Sequence, residues 1–439
     1  MASKIIHTVL ASLLVLSSFT ALAQNPVLNK YTFGEGLEFS GKNGYTMTIR
    51  GFVQPFSETT FYTDGDTSLA QNSFTRFRMR RLRLNISGEA AQDKIDYRLQ
   101  VDLSGTAEVD LAQASFLLDA WVAYNFTKRV SLTFGQRATP TDNRELIMGS
   151  QSLQLVERSS LTSAFSSIRE FGLFLQGDIR TKGGRYFKNY LTLTNGDGLN
   201  VMGADHGGLK VGGRIDFLPF GLFSNLGQFR QVDMMRENAP KLVLGVTASY
   251  NQGMSSRRGR ESGSILYLNE AFEESLPDYS KIGFDFLFKY RGFSALGEFV
   301  QSAATVPDDI TQRVRVDGST SAVFDVNGVQ DVENYVKGRM MLGTGFNIQM
   351  GYIFKNLISV DARYTHLEAD EFSFLNNGTF YNRPNTYTLG ASKYFSKSYG
   401  FKVQASVSYT PLKDGSNDIY GTPIKGSEIV TNLITSIAF

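Results

Sequence analysis

Cysteine is absent from this 439-residue chain, which excludes disulfide frameworks, thiolate nucleophiles and cysteine-ligated metals and leaves stability to packing and backbone pairing. Histidine is scarce: of three residues, His7 lies in an N-terminal leader, and His206 and His366 are far apart with no metal-ligand spacing. Beyond the leader no segment reaches the roughly 18 to 20 consecutive apolar residues that a membrane-spanning helix requires. Helical periodicity is nearly missing. The glycines at 34 to 36 and 343 to 345 open no helix after a buried strand and are not nucleotide loops. Charge of one sign is lacking too: 44 Lys plus Arg against 42 Asp plus Glu leave a formal net charge of +2, so no global field exists to hold nucleic acid. Any electrostatic role is local, and no cofactor is implied.

The first residues read MASKIIHTVLASLLVLSSFTALA, with Lys4 as a charged start, an apolar run from Val9 to Phe19 and an Ala21-Leu22-Ala23 cleavage box. This predicts a signal peptide over 1–23, removed on export. The remaining 24–439 read as one domain, with no interdomain linker. Its 34 Phe, 20 Tyr and 42 Gly beside a single Trp suit a closed sheet with aromatic girdles and tight turns.

Alternation of apolar and charged residues supports that reading. In KIDYRLQVDLS (94–104), Ile95, Tyr97, Leu99, Val101 and Leu103 alternate with Asp96, Arg98, Gln100 and Asp102, one face apolar and the other charged. The pattern predicts sixteen strands near 46–62, 74–88, 94–104, 114–126, 130–139, 168–179, 186–195, 208–217, 240–251, 280–291, 293–302, 340–354, 357–367, 384–395, 399–410 and 428–439. Connections alternate in length: long after odd strands, as at 140–167 and 303–339, and short after even ones, as at 291–292 and 355–356. An all-β transmembrane up-and-down antiparallel β-barrel produces this rhythm. Residues 218–239 break it, so either that turn is elaborated or the count is off by one hairpin. The chain ends TNLITSIAF, a closing strand with terminal Phe439.

One strand is unusual. FTRFRMRRLRLNISG (74–88) carries Arg76, Arg78, Arg80, Arg81 and Arg83. A barrel can house them, because its outer face meets lipid while its lumen meets water. The parity changes between 80 and 81: a bulge there gives one arginine face, or Arg76 and Arg78 stand above the membrane. Either way Leu82, Leu84 and Ile86 fix the lipid side, and Arg81 and Arg83 face the lumen. The same parity turns Arg98, Arg137, Lys210, Arg214, Lys281, Lys289, Arg363 and Lys402 inward, together with Asp96, Asp102, Asp119, Glu170, Asp178, Asp216, Asp285, Glu298 and Asp361. The wall is mixed in sign: either these residues pair with one another, or the basic set forms an anion-conducting ladder.

With FRMRRLRLNISG (77–88), VERSSLTSAFSSIREFG (156–172), LTLTNGDGLN (191–200) and GGRIDFLPF (212–220) in view, the chain resembles the phosphate-selective porin O and P family of bacterial outer-membrane proteins. The resemblance implies a sixteen-stranded barrel, a homotrimer, a lumen lined by basic side chains including Arg80, Arg81 and Arg83, and an inward-folded third loop. That loop is 140–167, with Glu157, Arg158 and Arg169 in or beside its motif. The expected function is passive diffusion of small hydrophilic solutes, anions above all, across the bacterial outer membrane, with lipid and lipopolysaccharide as surroundings. The alternatives are an accessory barrel with an occluded lumen in a larger envelope complex, and a barrel hydrolase, for which His366 with Glu368 and Asp370 is the place to look. Arg257, Arg258 and Arg260 in a long loop point to solutes or lipopolysaccharide outside rather than nucleic acid.

Overall fold

Alternation along each strand becomes, in the computed structural model, a sheet that closes on itself. The structure describes residues 27–41, 44–64, 73–109, 114–199, 206–373, 378–418 and 421–439; the leader expected over 1–23 lies outside them. A hairpin, β1 (Val27–Thr32) and β2 (Gly36–Ser40), precedes sixteen barrel strands. These are β3 (Thr46–Asp64), β4 (Ser73–Ala90), β5 (Ile95–Asp102), β6 (Leu117–Thr127), β7 (Val130–Ala138), β8 (Arg169–Arg180), β9 (Tyr186–Thr194) and β10 (Lys210–Leu218). Then follow β11 (Lys241–Asn251), β12 (Asp278–Tyr290), β13 (Phe293–Thr305), β14 (Gly343–Ile353), β15 (Ile358–Ala369), β16 (Asn385–Tyr394), β17 (Phe401–Pro411) and β18 (Lys425–Ala438). Each pairs antiparallel with the next, and β18 returns to β3 through Leu433↔Ser57 and Ile437↔Val53. Closure gives each of the sixteen barrel strands a partner on both sides, as a hydrocarbon setting demands.

The two faces differ as the alternation requires. Leu191, Val211, Ile215, Val246, Phe284 and Leu389 point outward and are 49–61% exposed, a surface suited to lipid rather than water. Aromatic rings stack along both rims: Tyr364, Tyr387 and Tyr409 on neighbouring strands at the loop end, and Phe395 on Phe401 at the turn end, 4.4 Å between centroids. Inward, Arg81, Arg214, Asp216, Gln349, Asp361 and Lys402 are at most 1% exposed.

The arginine-rich strand resolves its parity through a bulge. Gln54 pairs with Arg81 but Pro55 with Met79, so Arg80 is the extra residue. Pro55 has no N–H for the ladder, and a bulge is where a strand tolerates that. All five arginines then share the lumen face, while Phe77 and Met79 turn outward.

One feature lies outside the alternation-based expectation, and another settles an alternative that it left open. The β1–β2 hairpin was not anticipated, because VLNKYT has no apolar–polar alternation; β2 lengthens the sheet by pairing Leu37 with Ile49 at the start of β3. Its tip fits tightly at the turn end. Gly34 has φ +84°, and a Cβ there would lie 2.5 Å from Gly400 Cα, so only glycine serves. Residues 219–240, between β10 and β11, are an elaborated turn and not a missed hairpin, since β10 and β11 pair directly through Phe217↔Leu244. That connection folds back into the barrel, where Val232 and Met234 bury against Ile353, Tyr394 and Tyr399.

At the opposite end, the 252–277 and 306–342 loops share a core of Met254, Tyr267, Leu276, Ile310, Phe324, Val336 and Met340. The expected external role of the basic cluster there needs correction. Arg258 and Arg260 are 6% and 4% exposed and donate to the carbonyls of Ser163 and Ser166, so they brace the lumenal loop instead of facing outside molecules.

Candidate functional site

The segment from Thr139 to Ile168, between β7 and β8, crosses the lumen and is tied to opposite walls. On one side Arg144 reaches Asp285 (Nε, 2.7 Å) and Asp216 (Nη2, 2.6 Å), and Arg214 grips the same two carboxylates at 2.7 and 2.8 Å. The Glu145 N–H donates to Glu298 at 2.6 Å, and the Glu145 carboxylate accepts from Ser159 N, Ser159 Oγ and Thr162 Oγ1 at 2.6–2.8 Å. Ser159 also caps the short helix Ser160–Phe165 by accepting from the Thr162 N–H, a hydroxyl at its preferred place. Phe165 and Leu161 of that helix pack on Val300 and Leu367.

Toward β3 and β4, Glu157 accepts from Arg80 Nε and Nη2, two donors on one edge of the guanidinium, and from Arg81 at 3.3 Å. Burial alone would push the Glu157 carboxyl up, but these arginines outweigh it and hold it at about 2, so it stays ionised. From β17, Lys402 and Gln404 donate to the Leu153 carbonyl at 3.0 and 3.1 Å. From the turn end, Gln231 of the 219–240 connection accepts the Gln154 N–H at 2.7 Å. The loop is therefore clasped from the wall and from beneath.

Below it, on the β4–β9 side, lies a cavity of about 520 Å³. Seven arginines line it, Arg50, Arg83, Arg98, Arg137, Arg158, Arg169 and Arg230, against three carboxylates, Glu35, Glu108 and Asp119. Arg83 pairs with Asp102 (2.8 Å), Arg98 and Arg169 share Asp119 (3.1 and 2.8 Å), and Glu108 sits among Arg83, Arg158 and Arg169. Arg50, Arg137 and Arg230 make no ion pair among the described residues: Arg137 lies between the rings of Trp121 and Phe174, at 5.6 and 5.5 Å, and Arg230 over Tyr399 at 5.4 Å.

The basic residues singled out from sequence therefore fall into two groups. Arg83, Arg98, Arg137, Arg158 and Arg169 line the cavity. Arg80, Arg81, Lys210, Arg214 and Arg363 hold the loop or its flank: Lys210 reaches Glu170 (2.6 Å) and Ser167 (3.2 Å), and Arg363 donates to the carbonyls of Glu157 and Arg158 at 2.9 and 3.3 Å. Sequence reasoning missed Arg50, Arg230, Glu108 and Trp121. Arg50 shares the inward parity of Gln54 and Glu58, and Arg230 lies in the one turn whose length broke the pattern; both signals were present. His366 sits on the outward face of β15, beside Phe346 and 2.7 Å from Asn385 Oδ1, away from the lumen.

A closed sixteen-stranded up-and-down barrel, with a lipid-type exterior and a loop crossing a charged lumen, defines an outer-membrane porin. Residues 59–320 match the model of the family described as "Phosphate-selective porin O and P", and the chain belongs to that family. Among solved structures it is similar to the outer membrane channel DcaP of Acinetobacter baumannii (TM-score 0.50, 10% identity, covering 92% of this chain and 100% of that one). It is also similar to the anion-selective porin from Comamonas acidovorans (TM-score 0.49, 12% identity, 90% and 100%) and to Salmonella typhi OmpF in complex with daunomycin (0.49, 11%, 92% and 100%). A search of curated proteins finds no match.

Proposed function

We propose that this porin, exported by loss of residues 1–23, lets small hydrophilic solutes diffuse passively across the bacterial outer membrane with a preference for anions. The observation that carries the reading is the lumenal cavity, where seven arginines face three carboxylates and Arg50, Arg137 and Arg230 make no ion pair among the described residues. In a confined, weakly screened passage such charges set ion preference. The turn end faces the periplasm and the long loops the outside, among lipid and lipopolysaccharide. Glu157, Arg158 and Arg169 hold or border the narrow part, and three copies form the assembly.

The test is the reversal potential of refolded protein in planar bilayers under a potassium chloride gradient, with phosphate added as a blocker. The expected result is chloride preference, lost in the Arg50→Gln/Arg137→Gln/Arg230→Gln variant, whose substituted side chains carry no ion pair. A cation-preferring wild-type channel overturns the reading. A second reading, an accessory barrel with an occluded lumen, draws on the 219–240 connection pressed against the loop through Gln231. Folded barrels that pass no current would favour it.

A further inference from the structure

The lumen of an outer-membrane barrel is ordinarily polar, and Trp sits in the outward girdles. Here the only tryptophan of the chain points inward and lines the cavity. Its rung runs Arg98, Trp121, Gly135, Gly172, Thr194 across β5 to β9. Beside Trp121, two consecutive strands thus carry no side chain. Gly135 has φ +129°, and a Cβ there would lie 2.3 Å from the Ala120 carbonyl oxygen, so no side chain can stand beside the ring at that position. Flanking it, Arg137 is held between the Trp121 and Phe174 rings, with Thr133 Oγ1 accepting from Nη1 at 3.3 Å. The guanidinium is therefore oriented, and it makes no ion pair among the described residues, the nearby Asp119 carboxylate being held by Arg98 and Arg169.

The other side of the cavity adds apolar surface. Ile147 projects from the underside of the crossing loop, and Leu226 and Phe229 from the 219–240 connection. Leu226 is 62% exposed and has φ +54°, as its neighbour Asn225 has φ +49°. Leucine adopts that backbone reluctantly, and here it carries an apolar side chain to the cavity when a polar one would have been cheaper to expose.

We propose that this cavity is a subsite for organic anions with a flat, apolar body, such as aromatic carboxylates, in preference to inorganic phosphate. The carboxylate meets Arg137 and, toward the rim, Arg50, and the ring lies against Trp121, facing Ile147 and Leu226 across the cavity. Convergence of a few fixed charges with aromatic surface is how small-molecule pockets obtain orientation and selectivity together. The inference rests on the anion-channel reading and sharpens it to a solute class.

Because Trp121 is the sole tryptophan, intrinsic indole emission of the refolded full chain reports this site alone. Benzoate, acetate, phosphate and benzyl alcohol are titrated separately, so that ring and charge are tested independently. The expected result is a saturable change with benzoate at concentrations roughly tenfold below those the other three require, the scale of one aromatic or cation–π contact. Arg137→Gln keeps the reporter and shifts the benzoate midpoint upward by roughly the same factor; Arg50→Gln, at the open rim, shifts it in the same direction and serves if the first variant does not refold. Equal midpoints for benzoate and acetate, or a benzoate midpoint unmoved in the refolded variant, overturn the proposal. Conductance of the same preparation separates the two readings. An open anion-preferring channel with no benzoate selectivity removes the subsite only; folded barrels without current remove the channel, while the emission titration still decides the subsite.

Discussion

Glu157→Gln is expected to loosen the crossing loop, raising single-channel conductance and anion preference while lowering the unfolding midpoint. Arg80 and Arg81 are 3% and 1% exposed, and both reach the Glu157 carboxylate. Removing its charge takes a carboxylate from two desolvated guanidinium groups, with an expected cost of about 3 kcal/mol, the low end for breaking a buried pair because glutamine still accepts hydrogen bonds. Without that attraction the loop is released from β4, and both arginines open to the lumen. The check combines thermal or denaturant unfolding with bilayer recordings; a variant with unchanged midpoint and unchanged current would show that the Arg80–Glu157–Arg81 clasp holds nothing.

The same clasp gives a pH dependence with a definite sign. The folded-state pKa of Glu157 is depressed to about 2, below the usual glutamate value of about 4.3. Its contribution is therefore fully present above the unfolded value and is lost as pH falls through the folded one. Wild-type conductance should stay flat from neutral pH down to about 4 and rise only as the pH approaches about 2, as far as this group governs it. Glu157→Gln should lack that acid-induced step.

Much of this architecture is legible from period alone. Leu99, Val101 and Leu103 against Asp96, Arg98 and Asp102 dictate a two-faced strand whatever its neighbours are, and all sixteen predicted strands lie within three residues of the observed ones. The arginine strand shows where period stops. Parity turns Arg80, Arg81, Arg83 and Arg137 inward alike, yet the first three find carboxylates and the fourth finds aromatic rings. What decides the difference is a partner supplied by the crossing loop or another strand: Glu157 is 77 residues from Arg80, and Asp285 is 141 from Arg144. Local alternation carries no information about such distant partners. Arg230 was hidden for a related reason, because a long turn has no period, and its contact with Tyr399 forms only after that turn folds back into the barrel.

Arg144→Met separates the field of the lumen from the scaffold that shapes it. Arg144 is fully buried and bridges Asp216 and Asp285, with Arg214 completing a square of two guanidinium groups and two carboxylates at 2.6–2.8 Å. Methionine fills a similar volume but leaves two carboxylates to one arginine, an uncompensated buried charge with an expected cost of about 3–5 kcal/mol. Adding Asp285→Asn restores the charge balance, so the double variant should recover part of that loss, a non-additive interaction of the kind expected within one ion network. Because Arg144 does not line the cavity, ion preference should change little in this variant unless the loop swings away. Arg137→Gln should behave in the opposite way, altering preference with little change in unfolding midpoint, since Arg137 makes no ion pair among the described residues and Asp119 keeps Arg98 and Arg169. If Arg144→Met and Arg137→Gln move stability and selectivity in the same proportion, the division between loop-holding and solute-facing arginines fails.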